Sequence, residues 1–136
     1  MASRNPPEIP ARLRRAFLAS RYEAAGAVAR IGRRSPGVDA LLAGMGVRQG
    51  GFVGAWNPFG RRMPPGWNHR ALARLRAAAR RLPQAGGRGG LGRWWEEHLL
   101  LGGDPRRLAV LARRFRQAAW VRLRRGGPAA LVPGLG

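Results

Sequence analysis

The chain of 136 residues has no cysteine and no lysine. Without Cys there is no disulfide, no thiolate metal site and no thiol nucleophile, which fits a reducing compartment. Without Lys a Walker-type phosphate loop cannot be built. No apolar run approaches the roughly 18–20 residues that span a bilayer, and Met1 to Pro10 lack the hydrophobic core of a secretion signal. A cytoplasmic protein with no membrane partner is expected. Histidine is limited to two copies, too few for the usual three- or four-ligand sites, so neither a metal nor another cofactor is implied. Ser20 and Ser35 are the only serines beyond the extreme N-terminus, and neither has a His or Asp placed as a triad partner.

Acidic residues are also scarce. Six oppose 26 basic ones, for a formal charge of +20 and a pI near 12. Such an excess attracts anions, and nonspecific adsorption to nucleic acid at low salt is expected. Yet every basic residue is Arg, and the chain is heavy in Gly, Ala and Pro. GC-rich codons favour all four, so coding bias accounts for the Arg excess more readily than specific nucleic-acid recognition does. No RNP, helix-turn-helix or zinc pattern is legible, and Arg occurs on every expected helix rather than on one stripe.

The length suits one domain with one core. Residues 1–9 read as a flexible lead-in, 10–123 as the domain, and 124–136 as a Gly/Pro-rich, disordered tail. Within the domain, Pro10 opens a helix with Leu13, Ala16, Phe17 and Ser20 on one face. Ala27 to Ile31 reads as a short strand. Ser35-Pro36 caps a second helix, with Val38, Leu41, Leu42 and Met45 as its apolar stripe. Gly51 to Trp56 is an apolar strand stopped by Asn57-Pro58. Asn68 is expected to cap a third helix, with Trp67 stapled onto Leu72 and a stripe of Leu72, Leu75, Ala79 and Leu82.

Residues 87–92 satisfy G-x-G-x-x-G but follow a helix, so the Gly-rich segment to Gly92 reads as a flexible connection and not a dinucleotide loop. Trp94 to Leu101 alternates as a strand, with Trp95, Glu97, Leu99 and Leu101 on one face and Trp94, Glu96, His98 and Leu100 on the other. Asp104-Pro105 starts a fourth helix, and Ala118 to Leu123 is the last strand. The expected fold is α+β or α/β, a four-stranded mixed sheet with helices packed on it, in the order α-β-α-β-α-β-α-β.

The candidate functional centre is the segment from Trp56-Asn57-Pro58 to Trp67-Asn68-His69. Asn57 and Asn68 each have a structural role available, as a turn and as a helix cap. However, Asn is scarce, and two of its three copies bracket one loop. Arg61, Arg62 and Arg70 add positive charge there, so a small anionic ligand would be accommodated. For Glu96 and His98 the plain expectation is a solvent-facing pair, with Glu97 bridged to an Arg. The sharper alternative turns Glu97 inward onto a loop Asn or an Arg.

The ordered set Ala55-Trp56-Asn57-Pro58, Asn68 at a helix start, Trp94-Trp95-Glu96-Glu97, and Arg113-Arg114-Phe115-Arg116-Gln117-Ala118-Ala119 resembles the bacterial family designated domain of unknown function 3293. The likeness runs from about the first helix to Val121. The chain has Gly54 where that family usually has Thr, and Ala118 where it usually has Asn. The resemblance implies a small intracellular domain whose Asn57, Asn68, Glu96 or Glu97, and Gln117 form one polar cluster; it brings no activity or cofactor. The resulting expectation is a site for a small anionic ligand, with Glu97 as the candidate acid–base group should the ligand be turned over. The alternatives are an accessory protein that binds nucleic acid through its Arg surface, and a protein–protein interaction module marked by exposed Trp94 or Trp120.

Overall fold

A computed structural model describes residues 9–134. Most of the expected lead-in, residues 1–8, lies outside the described residues, as do 135–136 at the end of the expected tail. The chain forms helix α1 (Ala11–Ala19), strands β1 (Arg21–Ala24) and β2 (Ala27–Ala29), helix α2 (Pro36–Gly44), strand β3 (Gln49–Gly54), a short 3-10 turn (Pro58–Gly60) and helix α3 (Pro65–Ala78). Strands β4 (Gln84–Leu91) and β5 (Trp94–Gly102), helix α4 (Pro105–Arg114) and strands β6 (Ala119–Arg124) and β7 (Ala130–Pro133) follow. The class is α+β.

The seven strands make one sheet in the order β2-β1-β4-β5-β3-β6-β7, with every neighbouring pair antiparallel. The sheet curls until its two ends meet just beyond the edge strands. Gly32 N–H donates to Ala129 O at 2.7 Å, and Ala129 N–H donates to Arg33 O at 3.1 Å. Joining the ends leaves fewer unpaired edge groups for another chain to add to.

Each face of the sheet has its own apolar core. On the inner face, Phe52, Leu100 and Val121 from the central strands meet Tyr22, Ala24, Ala27 and Ala29 from the edge, with Val38 and Leu42 of α2 above them. On the outer face, Val53, Leu99, Leu101 and Trp120 are covered by Leu72 and Leu75 of α3 and by Leu108 and Ala112 of α4. The central strands are therefore near-continuous apolar runs, because both faces are buried.

Among the described residues seven strands replace the expected four, and the named strands pair antiparallel throughout rather than as a mixed sheet. Three strands escaped the sequence reading for separate physical reasons. Residues 84–91, taken as a flexible connection, are β4. Three of their four glycines stand at a close approach: a Cβ at Gly90 would overlap Trp94 O, one at Gly89 would lie 2.6 Å from His98 Cε1, and one at Gly87 would lie 2.6 Å from Glu23 O. β1 is short and half polar, and joins β2 through Ala25 and Gly26 at φ 48° and 81°, the positive pair a tight hairpin requires. β7 falls in the expected tail, yet pairs with β6 from Ala119↔Pro133 to Arg122↔Ala130.

The helix starts are as expected at α1, α2 and α4. Ser35 Oγ accepts from Val38 N–H, and Asp104 accepts from Arg106 N–H. At α3 the structure differs. Pro64 and Pro65 open the helix three residues before Asn68, so Asn68 lies inside it, buried, and the Trp67–Leu72 staple has no cap to accompany. Proline at the first helical position needs no capping side chain for the amide it lacks, which frees Asn68 for another partner. Among the described residues no helix is long and apolar enough to cross a membrane.

At Gly51 the Trp120 ring crosses β3 so closely that a Cβ would lie 2.7 Å from it. Gly51→Ala is expected to cost about 1–3 kcal/mol through overpacking. Gly86→Ala, at a position with nothing within 4 Å, is expected to stay within about 0.5 kcal/mol of wild type. Chemical denaturation of the two variants beside wild type checks the contrast.

Candidate functional site

The 3-10 turn after β3 folds back between the start of α3 and the first half of β5. Asn57 sits at its head in the left-handed region, at φ 48° and ψ 64°, a conformation Asn tolerates better than most residues. Its backbone N–H donates to Asn68 Oδ1 at 3.0 Å. Its own Oδ1 accepts from Met63 N–H at 2.9 Å and from Asn68 Nδ2 at 3.1 Å. Since a backbone amide can only donate, these contacts orient both side-chain amides. Asn57 Nδ2 must then point away from Asn68, and it donates to Glu96 Oε1 at 2.5 Å.

Glu96 therefore has one oxygen held by the loop. It lines a cavity of about 560 Å³, and no ion pair to it forms among the described residues. Burial raises its pKa above the usual carboxylate value, opposed in part by the Asn57 bond. The cavity is walled by Leu13, Ala16 and Phe17 of α1, by Tyr22, by Trp56 and Met63 of the loop, and by Trp94. The expected stripe of α1 thus forms one wall. Arg62 lies at the cavity with its guanidinium carbon 5.8 Å from the Trp94 ring centroid.

His98, two residues along β5, also lines this cavity. It is buried, with Nδ1 lacking any hydrogen-bond partner, and its ring stacks on Tyr22 at a centroid distance of 6.0 Å. Glycines make the room: a Cβ at Gly54 would lie 2.9 Å from His98 Cδ2, and one at Gly89 would lie 2.9 Å from Nδ1. Burial pushes the imidazole down to about 4, and pushes the Tyr22 phenol upward.

The expected site residues divide accordingly. Asn57, Asn68 and Glu96 are joined by direct hydrogen bonds. Gln117 is buried beside them, donating through Nε2 to Trp56 O at 3.2 Å and to Phe115 O at 3.1 Å. It lines an adjoining cavity of about 240 Å³ together with Asn57 and Glu96. Glu97 lies on the opposite face of β5, half exposed, 3.8 Å from His69 Nδ1. The inward Glu97 is therefore corrected to Glu96, and the solvent-facing Glu96/His98 pair to a covered one, because α1 and β1 overlie that face. All three loop arginines are exposed, and Arg62 alone of them lines the cavity. Trp120 is buried, whereas Trp94 is 74% exposed. Tyr22, Phe17 and Met63 were not singled out as site residues by the sequence; the paired glycines facing His98 were the available signal for the first. Among the described residues no three His, Asp or Glu side chains converge on a metal position.

The buried His98 gives a pH dependence whose sign can be stated. Its folded pKa lies below the ordinary 6.5, so between pH 6.5 and about 4 the unfolded chain binds a proton that the folded chain does not. Stability is then present above pH 6.5 and is lost as pH falls, by on the order of 3 kcal/mol for this group. Denaturant unfolding across that window should show a steeper acid loss in wild type than in His98→Phe. Equal slopes would remove the assignment.

A family model described as "Protein of unknown function (DUF3293)" matches residues 53–120. The match runs from β3 into β6 and takes in Asn57, Asn68, Glu96, Glu97, His98 and Gln117. Searches of curated proteins and of solved structures returned no match. With half of its length covered by that model, the chain belongs to the DUF3293 family.

Proposed function

We propose that the chain binds a small molecule in the cavity between α1, the 56–63 loop and β5. Its planar or apolar body would lie against Phe17, Trp56 and Trp94, and a hydrogen-bond-donating group would meet the free oxygen of Glu96. The observation behind this reading is the isolation of that carboxylate. In a chain with 26 Arg, a half-buried glutamate has one amide donor and no cation, while Glu23 and Asp104 are both paired with Arg. An unpaired, desolvated carboxylate destabilises the fold unless something binds it, and such costs concentrate at functional sites.

The anionic ligand expected from the loop arginines is narrowed by this geometry. An acidic group is compatible with the Arg62 rim and incompatible with the Glu96 floor, so a ligand bearing both a donor group and an acidic group fits best. Glu96, with its raised pKa, is better suited than Glu97 to exchange a proton with such a ligand. A cytoplasmic setting, with access to small metabolites, is part of this proposal. The interaction-module alternative has one observation in its favour, the exposure of Trp94 beside Leu91 at the β4–β5 hairpin.

Thermal-shift measurements on a metabolite panel, run on wild type, Glu96→Gln and Trp94→Ala, test the proposal. Unliganded Glu96→Gln should melt higher than wild type at pH 8, because the neutral amide relieves the buried charge. That advantage should shrink as pH falls through the raised pKa of Glu96, where the wild-type carboxyl itself becomes neutral. Compounds with a donor group on a planar body should raise the wild-type melting temperature and have little effect on Glu96→Gln. If wild type and Glu96→Gln respond alike to every compound, the pocket reading fails. Loss of self-association or partner capture in Trp94→Ala, with metabolite shifts intact, would favour the interaction module.

A further inference from the structure

A second concavity, remote in sequence from the Glu96 cavity, lies between α2 and the ends of β3 and β6. It encloses about 800 Å³, and Arg48, Arg122, Arg124 and Arg125 line it with a single carboxylate, Asp39. That carboxylate is engaged: its Oδ1 accepts from Gly126 N–H at 3.0 Å and so fixes the turn after β6. All four arginines are exposed, and none belongs to an ion pair among the described residues.

Their placement is more ordered than surface charge alone requires. Arg122 and Arg124 are two residues apart on β6, so their side chains leave the same face about 7 Å apart, close to the separation of successive phosphates along a nucleic-acid strand. Arg122 Nη2 lies 3.4 Å from Gln49 Oε1 on the neighbouring strand. Arg124 lies over the following turn, where a Cβ on Gly127 would come within 2.9 Å of its Nε. Arg125 N–H donates to Arg48 O at 2.9 Å, tying the other two arginines together through the backbone.

We propose that this groove holds the phosphodiester backbone of a nucleic-acid strand. A repeat of cations at the strand period matches a repeating anion better than a single one. No aromatic side chain lines the groove, so bases have no stacking surface and binding is independent of sequence. The net charge of +20 supplies long-range attraction, which acts most strongly on a polyanion.

The test is fluorescence anisotropy with dye-labelled single-stranded and duplex oligonucleotides across a salt series, on the full chain. Arg122→Gln/Arg124→Gln should weaken binding about tenfold at roughly 0.1 M salt and lower the slope of log K against log salt by about 2. The control is Arg80→Gln/Arg81→Gln, an exposed pair after α3, which removes the same charge and should change affinity less than about threefold. Circular dichroism and melting curves confirm that both variants fold. Equal losses in the two variants would reduce the effect to overall charge and overturn the proposal, as would no binding by wild type. Displacement of the oligonucleotide by inorganic triphosphate or polyglutamate at matched charge would also overturn it, by showing a site for small anions or acidic protein.

Discussion

The side-chain amide of Asn57 is the interaction on which the candidate site depends. It closes the loop after β3 by accepting from Met63 N–H, ties that loop to α3 through Asn68, and sets the carboxylate of Glu96 on β5. Two consecutive elements and a strand 39 residues further on are thereby fixed relative to one side chain. Both lone pairs of its oxygen are used, and so are the oxygen and both bonds of the Asn68 amide nitrogen. These two residues are consequently positioning groups with little capacity left for a ligand. The capacity lies one step further along the chain of bonds, at the second oxygen of Glu96. The partly buried network has a defined direction: the asparagines, left with one N–H of Asn57 and one lone pair of Asn68, supply rigidity, and binding potential is concentrated on the carboxylate.

Glycine governs how this network is housed. His98 and Tyr22 stack inside the curled sheet only because Gly54 and Gly89, on the strands either side of β5, leave their ring space unfilled. The same exchange occurs at Gly51 beneath Trp120. In each case a large ring on one strand covers a residue without a side chain on the next, so packing density is kept although individual strands look too small-sided to form a core. This is the physical reason that β4 was illegible. A run with four glycines in eight residues has the composition of a linker, and its role as a strand becomes evident only when the rings of its neighbours are in place.

Elsewhere the sequence was more informative. α2 and α4 are announced by Ser35-Pro36 and Asp104-Pro105 and by regular apolar stripes, and these are local signals that tertiary contacts need not alter. β3, β5 and β6 were legible as apolar runs. β1 and β7 were not: each has four residues, β1 is half polar, β7 is apolar but set in a Gly/Pro-rich stretch, and strand pairing is decided by distant partners. The faces of β5 were separable by alternation, but alternation does not reveal which face is covered. That depends on α1, whose weakly apolar Leu13-Ala16-Phe17 stripe crosses the Glu96 side of the sheet. The sequence expectation of one polar cluster named Asn57, Asn68, Gln117 and either Glu96 or Glu97; hydrogen bonds join the two asparagines to Glu96, and Glu97 lies on the other face of β5.

The isolation of Glu96 is more telling because of its surroundings. Among the described carboxylates Glu23 takes two arginines, Arg21 and Arg88, and Asp104 takes Arg106, while Asp39 is held by the Gly126 amide rather than by a cation. Arg62, the arginine nearest to hand at the Glu96 cavity, is instead associated with the face of Trp94, where a cation–π contact holds a guanidinium at modest gain. An Arg turned inward would neutralise Glu96 and fill the space in front of it. With Arg62 at the rim, the cavity keeps an uncompensated carboxylate below and a cation above, separated by aromatic walls. Stability alone favours collapse of that arrangement, and this is the physical basis on which a ligand spanning the two charges is proposed.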